Sequence, residues 1–422
     1  MTQDLLRAIS CADDYDPDSM SVEKARRFIR DFLEPVRTRE SLAIRAALGR
    51  VLAEDVRSPC NVPNHDNSAM DGYALNADDL AASGATTLHI VGTAFAGKAF
   101  ADAVGAGECV RIMTGAVMPQ GCDTVVIQEH AQFKDGNITF GEGVRRGQNL
   151  RYAGEDLKRG QTVFAAGHLV RPADLGLIAS LGIAEIKVWR KLRVAFFSTG
   201  DELASIGEPL AEGQVYDSNR YTLYGMLTRL GVEIVDMGVV RDDPALLEQA
   251  LKDAAACADV ILTSGGVSVG EADYMKQLLN QLGQVVFWKI AMKPGRPLAY
   301  GKIGNAHYFG LPGNPVSVMV TFYQFVRDAL LVLMGQPDPA PVQQFQAMCG
   351  GNIKKAPGRT EFQRGILSAN SDGKLKVEPI GNQGSGVLRS MSEANCFIVL
   401  PEPCGNVAAG EMVNVQLLSG FV

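Results

Sequence analysis

Between Lys191 and Met334 the chain alternates short apolar, β-branched runs with amphipathic segments, and no other feature constrains the fold as strongly. Residues 194–198, 232–236, 260–263, 285–288, 298–300 and 308–311 read as strands. Residues 217–230, 242–256, 272–282 and the stretch from Pro315 to about Met334 read as helices. Pro244 stands in the first turn of the second of these, a favoured place for proline. This alternation predicts a mostly parallel sheet covered by helices on both faces. Such sheets bind ligands at the carboxyl ends of their strands.

The flanks differ. In residues 57–147 short alternating segments (87–92, 109–113, 124–128, 137–140) are separated by Gly, Asp and Asn, the pattern of a small all-β module. Before it lies a start rich in aspartate (Asp13, Asp14, Asp16, Asp18), then a helix capped by Ser21. Val22, Ala25, Phe28, Ile29 and Phe32 form that helix's apolar stripe, and Pro35 closes it. A second helical stretch is expected near 45–52, and a third at 172–181. After a proline-rich linker at 335–339 come short strands at 345–348, 361–367, 376–379, 397–400 and 412–417, a C-terminal β-barrel or sandwich. The expectation is a multidomain α/β protein. A discontinuous helical and extended N-terminal domain (1–56 and 148–187) carries an inserted all-β domain (57–147). A central α/β domain (188–337) and a C-terminal β-barrel domain (338–422) follow.

Charge narrows the partners. Forty Lys and Arg against 47 Asp and Glu give a formal charge of −7, which argues against non-specific coating of nucleic acid. An anionic substrate in a local basic pocket remains compatible. The longest apolar stretch, 316–335, carries Arg327 and Asp328 and reads as a buried helix, so no membrane partner is expected. With no signal peptide legible at the N-terminus, the eight cysteines read as reduced cytoplasmic thiols. None has zinc-site spacing, and the five histidines have no metal-ligand spacing either.

The chemistry sits in loops. Asp71 follows a run of small residues, Asn67-Ser68-Ala69-Met70, that would let a ligand approach the backbone. Thr114 ends a strand beside Gly115, where a hydroxyl and free N–H groups could face an oxyanion. Asp156 lies between basic stretches. In the α/β region Asp201 and Glu202 follow Gly200 at a strand end, and Ser264-Gly265-Gly266-Val267-Ser268 resembles a phosphate cradle. It is no P-loop, because no Gly-Lys-[Ser/Thr] follows. Glu271 and Asp273 come just after the glycines, where bare phosphate would be repelled. Either they cap a helix, or with Asp201, Glu202 and Asp242 they hold a hard cation such as Mg²⁺ against phosphates, the reading preferred here. Lys289, Lys293 and Arg296 surround Pro294, and in an extended segment the two lysines would share a face. Pro312 and Pro315 stiffen the turn into the last long helix. Arg364 lies in a C-terminal strand, and Ser385 in a glycine-rich loop.

Taken in order, NSAMDGYA, RIMTGA with PQGCDTVV, GEDLKRG, FSTGDEL with VYDSNR, TSGGVSVGEADY, MKPGRP and LPGNPVSV resemble the MoeA family, which is related to the E domain of gephyrin. The resemblance covers about residues 20–420 and departs from the family only in detail, at His65, Cys122 and Arg296. It implies a MogA-like α/β domain and insertion of molybdate into adenylylated molybdopterin, with AMP released and Mg²⁺ required. It also implies a homodimer whose site is completed by the β domain of the second subunit, with a molybdopterin adenylyltransferase as a further possible partner. By motif match the catalytic set is Asp71, Thr114, Asp156, Glu202, Asp242 and Asp273, with Glu202 and Asp273 at the metal. Ser264, Gly265, Gly266, Ser268, Lys289, Lys293, Pro312, Pro315, Arg364 and Ser385 are the expected substrate contacts. The rival readings are a molybdopterin adenylyltransferase and a gephyrin-like scaffold without catalysis.

Overall fold

A computed structural model describes residues 20–266, 272–336 and 338–420. The aspartate-rich start, Ser268, Glu271 and the side chain of Asp273 lie outside the described residues. The chain forms two compact units, one of residues 41–48 and 52–187, the other of the remainder.

Helix α1 (Val22–Asp31) opens the described chain. The Ser21 hydroxyl accepts the Lys24 N–H at 3.2 Å, and Val22, Ala25 and Ile29 are buried. The helix expected at 45–52 is absent. A single 3₁₀ turn, Ile44–Ala46, gives way to Gly49 at φ +73°. The backbone then turns to distant partners, with Leu52 N–H on His168 O at 2.9 Å and Ala53 N–H on Lys187 O at 3.0 Å. Those bonds outweigh the helical tendency of Ala46-Ala47-Leu48.

The first unit is built on a six-stranded sheet: β1 (Gly72–Leu75), β2 (Thr86–Ala94), β3 (Glu108–Ile112), β4 (Thr124–Ile127), β5 (Ala131–Lys134) and β6 (Asn137–Phe140), in the order β4-β1-β3-β2-β6-β5. Only β2 and β3 run parallel. Strand β1 is buried along its length, and a Cβ on Gly72 would stand 2.0 Å from Val126 O, so no side chain fits there. Helix α2 (Pro172–Ser180) also belongs to this unit.

The second unit holds the α/β region. Strands β7 (Arg193–Thr199), β8 (Glu233–Val240), β9 (Val260–Ser264), β10 (Gly283–Lys289), β12 (Pro297–Ile303) and β13 (Ala306–Leu311) are ordered β8-β7-β9-β13-β12-β10. The first four in that order pair in parallel, and β12 alone is reversed, antiparallel to both β13 and β10, so the sheet is mostly parallel as expected. One face packs α1, α3 (Ser218–Leu230) and the long C-terminal helical run through Leu223, Leu227, Val318, Phe322 and Leu330. The other packs α4 (Pro244–Cys257) and α5 (Ala272–Leu282) through Leu247, Leu251, Met275 and Leu279.

The last helical run is α6 (Pro315–Thr321), a π turn (Phe322–Val326) and α7 (Arg327–Leu333). Arg26 of α1 donates to the carbonyl and the side chain of Gln324 in the π turn. By length and composition this run could cross a membrane, but 78% of it is buried inside the protein's own core.

The C-terminal strands close on themselves: β14 (Gln344–Cys349), β15 (Thr360–Ala369), β16 (Leu375–Pro379), β17 (Cys396–Leu400) and β18 (Met412–Leu417) run β15-β16-β14-β18-β17 and back to β15. Of the barrel and the sandwich, this is the barrel. One further strand joins it from outside. Strand β11 (Met292–Lys293), between the α/β strands β10 and β12, pairs parallel with β15, with Lys293 opposite Glu361.

Candidate functional site

Strands β7, β9 and β13 end level, with Ser198 opposite Ser264 and Ser264 opposite Leu311. Their loops therefore emerge side by side at the carboxyl edge of the sheet. Gly265 adopts φ +97°, and a Cβ there would meet Thr199 O at 2.4 Å. Only glycine lets the loop pass so close over the neighbouring strand end. The Thr199 hydroxyl donates to the Asp242 carboxylate, and the Asp242 N–H reaches Asp201 at 3.3 Å. Asp243 rather than Asp242 caps α4, accepting the Ala245 and Leu246 N–H groups at 2.9 and 3.0 Å. Asp242 is thus left for the loop cluster. The Glu202 carboxylate folds back over Gly200, where a Cβ would stand 2.5 Å from its Oε2.

A cavity of about 530 Å³ opens at this edge, with Glu202, Tyr216, Asp217, Asn219, Pro312 and Pro315 in its wall. Asp217 caps α3: one carboxylate oxygen accepts the Arg220 N–H and the Ser198 hydroxyl, each at 3.1 Å. Asn219 clamps two loops together, its amide donating to Ser264 Oγ at 2.9 Å and to Gly313 O at 2.7 Å. The other oxygens of these two side chains, Asp217 Oδ2 and Asn219 Oδ1, are buried and have no hydrogen-bond partner among the described residues. Gly386 of the barrel loop also lines the cavity, and the adjacent Ser385 carbonyl accepts the Val316 N–H at 3.1 Å.

Of the expected residues, the structure gathers Glu202, Pro312 and Pro315 around one cavity, with Ser264 bonded to its wall and Ser385 adjoining it. Arg364 is 1% exposed. Its guanidinium donates to Ser390 Oγ at 3.0 Å, Gly384 O at 3.0 Å and Asn382 O at 3.3 Å, and no carboxylate among the described residues pairs with it. Burial pulls its pKa down to about 10, so it stays charged at neutral pH. Its visible work is to hold the loop that carries Ser385. The two lysines do not share one extended segment. Lys289 ends β10, a turn with Ile290 N–H on Arg296 O intervenes, and Lys293 joins the barrel sheet, 3.9 Å from the buried Glu361 carboxylate.

Asp71, Thr114 and Asp156 belong to the other unit. Asp71 Oδ1 accepts both the backbone N–H and the hydroxyl of Thr114, each at 2.7 Å. The N–H and hydroxyl expected to face an oxyanion are therefore turned on the Asp71 carboxylate. The Thr114 N–H, then its hydroxyl, and more weakly Arg111 hold the Asp71 carboxyl below the usual range against a small effect of burial. Asp156 is exposed, and its backbone N–H bonds Val62 O at 3.0 Å.

Among the described residues no three His, Cys, Asp or Glu side chains gather as a metal cage. Sequence reasoning passed over Asp217 and Asn219, because Asp-Ser-Asn after a strand reads as an ordinary helix cap. The available signal was that this cap abuts the level ends of three parallel strands.

The chain is similar to known proteins over most of its length. Residues 20–182 match the MoeA N-terminal region (domain I and II), residues 195–331 the "Probable molybdopterin binding domain", and residues 346–418 the MoeA C-terminal region (domain IV). A molybdopterin molybdenumtransferase of Haemophilus influenzae is 46% identical over 399 residues, covering 94% of this chain and 98% of its own length. Molybdopterin molybdenumtransferase 2 of Mycobacterium tuberculosis is 35% identical over 406 residues, with the same coverage of 94% and 98%. The crystal structure of a molybdopterin biosynthesis moeA protein from Pyrococcus horikoshii superposes with a TM-score of 0.82 at 29% identity, over 95% of this chain and 100% of that one.

Proposed function

The chain belongs to the MoeA family and is a molybdopterin molybdenumtransferase of molybdenum-cofactor biosynthesis, and from this we propose that it inserts molybdate into adenylylated molybdopterin and releases AMP. We place the reaction in the cytoplasm and in a homodimer. The observation that carries the proposal is the cavity at the carboxyl edge of the α/β sheet, with Glu202 in its wall and the Gly265–Gly266 loop beside it.

Cleaving a phosphoanhydride requires positioning and charge neutralisation more than covalent catalysis. The glycine loop suits phosphate because nothing projects from its backbone. Hard oxygen donors at this edge fit Mg²⁺, which takes one or two carboxylates and completes its shell with water and substrate phosphates. A cage of three carboxylates is not needed. Glu202 and Asp273 would hold the ion, and when bound it would offset the charge of the phosphates. Asp242, fixed by Thr199, would orient the groups around them. Arg364 would supply positive potential and hold Ser385 in place for molybdate, with Lys289 and Lys293 completing the basic side. Asp71 and Thr114, already locked together, would come as a rigid pair from the second copy, with Asp156.

The test is AMP release from adenylylated molybdopterin with and without molybdate. Release that depends on molybdate and Mg²⁺ is expected. Release independent of molybdate, or consumption of ATP in place of the adenylylated pterin, would remove this reading in favour of an adenylyltransferase.

A further inference from the structure

We propose that Asp217 and Asn219 form the edge that recognises the aminopyrimidinone ring of the pterin, an inference that rests on the reading of the ligand as a molybdopterin. Asp217 is 4% exposed, and its Oδ2 meets no donor among the described residues. Asn219 Oδ1 is equally without one. Native proteins rarely leave a buried acceptor unmatched, because its lost hydration is not replaced. The Asn219 amide cannot turn over to remove the defect. Gly313 O is an acceptor only, so the amide must keep its N–H groups on that side. Asp217 is fixed likewise, since its other oxygen already serves the Ser198 hydroxyl and the Arg220 N–H.

The residues that carry these two fixed acceptors stand two positions apart in the chain, and both line a cavity of about 530 Å³, within the range that small ligands occupy. Their complement is a planar ring edge with two adjacent N–H donors. The 2-amino group and N3–H of a pterin supply that pair. The pairing edge of adenine offers a donor beside an acceptor and does not match, which assigns this end of the site to the pterin rather than the adenylyl group. The cavity has Pro312 and Pro315 in its wall, which offer apolar surface against which a ring can lie. Tyr216 is held at its side by its phenol O–H, which donates to Glu208 O at 2.7 Å.

The full chain is titrated with pterin-6-carboxylate and with lumazine-6-carboxylate, in which an oxo group replaces the 2-amino group. Wild-type protein should bind the pterin at least about tenfold more tightly, the scale of one hydrogen bond to a charged acceptor. Asp217→Asn, which turns one acceptor into a donor, should erase or invert that preference, with a thermal melt to confirm folding. Equal affinity of the wild-type protein for both compounds overturns the proposal without needing any variant. So does an unchanged preference in folded Asp217→Asn, or competition of AMP with the pterin. Molybdate-dependent AMP release without the pterin preference would remove this edge and leave the reaction standing. The preference without AMP release would do the reverse.

Discussion

Asp71 and Asp217 are both carboxylates at the mouths of turns, and the protein treats them oppositely. Asp71 is exposed, with one oxygen taken up by the Thr114 N–H and hydroxyl and solvent available to the other. Asp217 is buried, with one oxygen satisfied and the other matched by no donor among the described residues. The same contrast holds for the glycines nearby. Gly115, beside Thr114, has nothing within 4 Å of where a Cβ would be, whereas Gly265 has Thr199 O at 2.4 Å. One loop is rigid and self-contained. The other is tightly packed yet has bonding capacity left over. That unused capacity, more than residue type or charge, marks the place where a ligand's groups are needed.

The sharpest way to break the contrast is a pair of glycine substitutions. Both positions have positive φ, so each alanine carries a backbone cost of about 1 kcal/mol. Gly265→Ala also collides with a carbonyl and should lose about 3 kcal/mol or more in urea denaturation. Gly115→Ala should lose only the backbone part. Equal losses would mean that the two loops are packed alike.

Glu202→Gln keeps the size and removes the charge. AMP release should fall on the order of 10²–10³-fold if Glu202 supports charge in the transition state. Stability should stay within about 0.5 kcal/mol, as for an exposed residue. Full activity at an unchanged Mg²⁺ requirement would reduce Glu202 to a surface carboxylate.

The two units can then be separated genetically. Asp71→Asn and Asp273→Asn should each be nearly inactive alone. Mixed and allowed to exchange subunits, they should recover about a quarter of the parent rate: about half the dimers are mixed, with one of two sites repaired in each. If mass measurements show exchange and no activity returns, both carboxylates serve one subunit's site.

The smallest effect concerns the rigid loop. In Thr114→Val the backbone N–H still holds Asp71 but the hydroxyl is gone, so the carboxyl pKa should rise part of the way to its ordinary value. Because the folded value is depressed, the associated stability is present above the ordinary carboxylate pKa and is lost as pH falls through the folded one. In the variant the stabilisation should be smaller and its loss should be complete at a higher pH. An NMR titration that finds Asp71 unmoved would show that the hydroxyl does not bond it in solution.

The α/β region was legible because each strand and helix carries its own local pattern. Residues 272–282 were expected as a helix and are α5; residues 260–263 fall one residue short of β9. Strand β8 continues to Val240, past the expected end at 236, because β7 offers it partners to Thr199. The helix expected at 45–52 failed for the complementary reason, since its backbone partners are more than 100 residues away. The site divided the same way. Glu202, Pro312 and Pro315 could be named from loops at strand ends. That Asp217 and Asn219 keep spare acceptors depends on which neighbours arrive and which do not, and a linear pattern does not encode that. Nor could spacing show that a tight turn sends Lys289 and Lys293 into different sheets.

Strand β11 has a consequence for how such proteins can be recombined. The proline-rich stretch at 335–339 is the obvious seam for exchanging the C-terminal barrel between relatives. Yet Met292 and Lys293, upstream of that seam, pair with Thr360 and Glu361 beyond it, and the Thr360 N–H bonds Ala291 O at 2.9 Å. A chimera spliced at the linker would set a foreign strand against the barrel, with the Lys293–Glu361 contact left to chance. The heritable cassette is therefore interrupted: residues 291–293 and 344–417 must travel together, although half a hundred codons separate them.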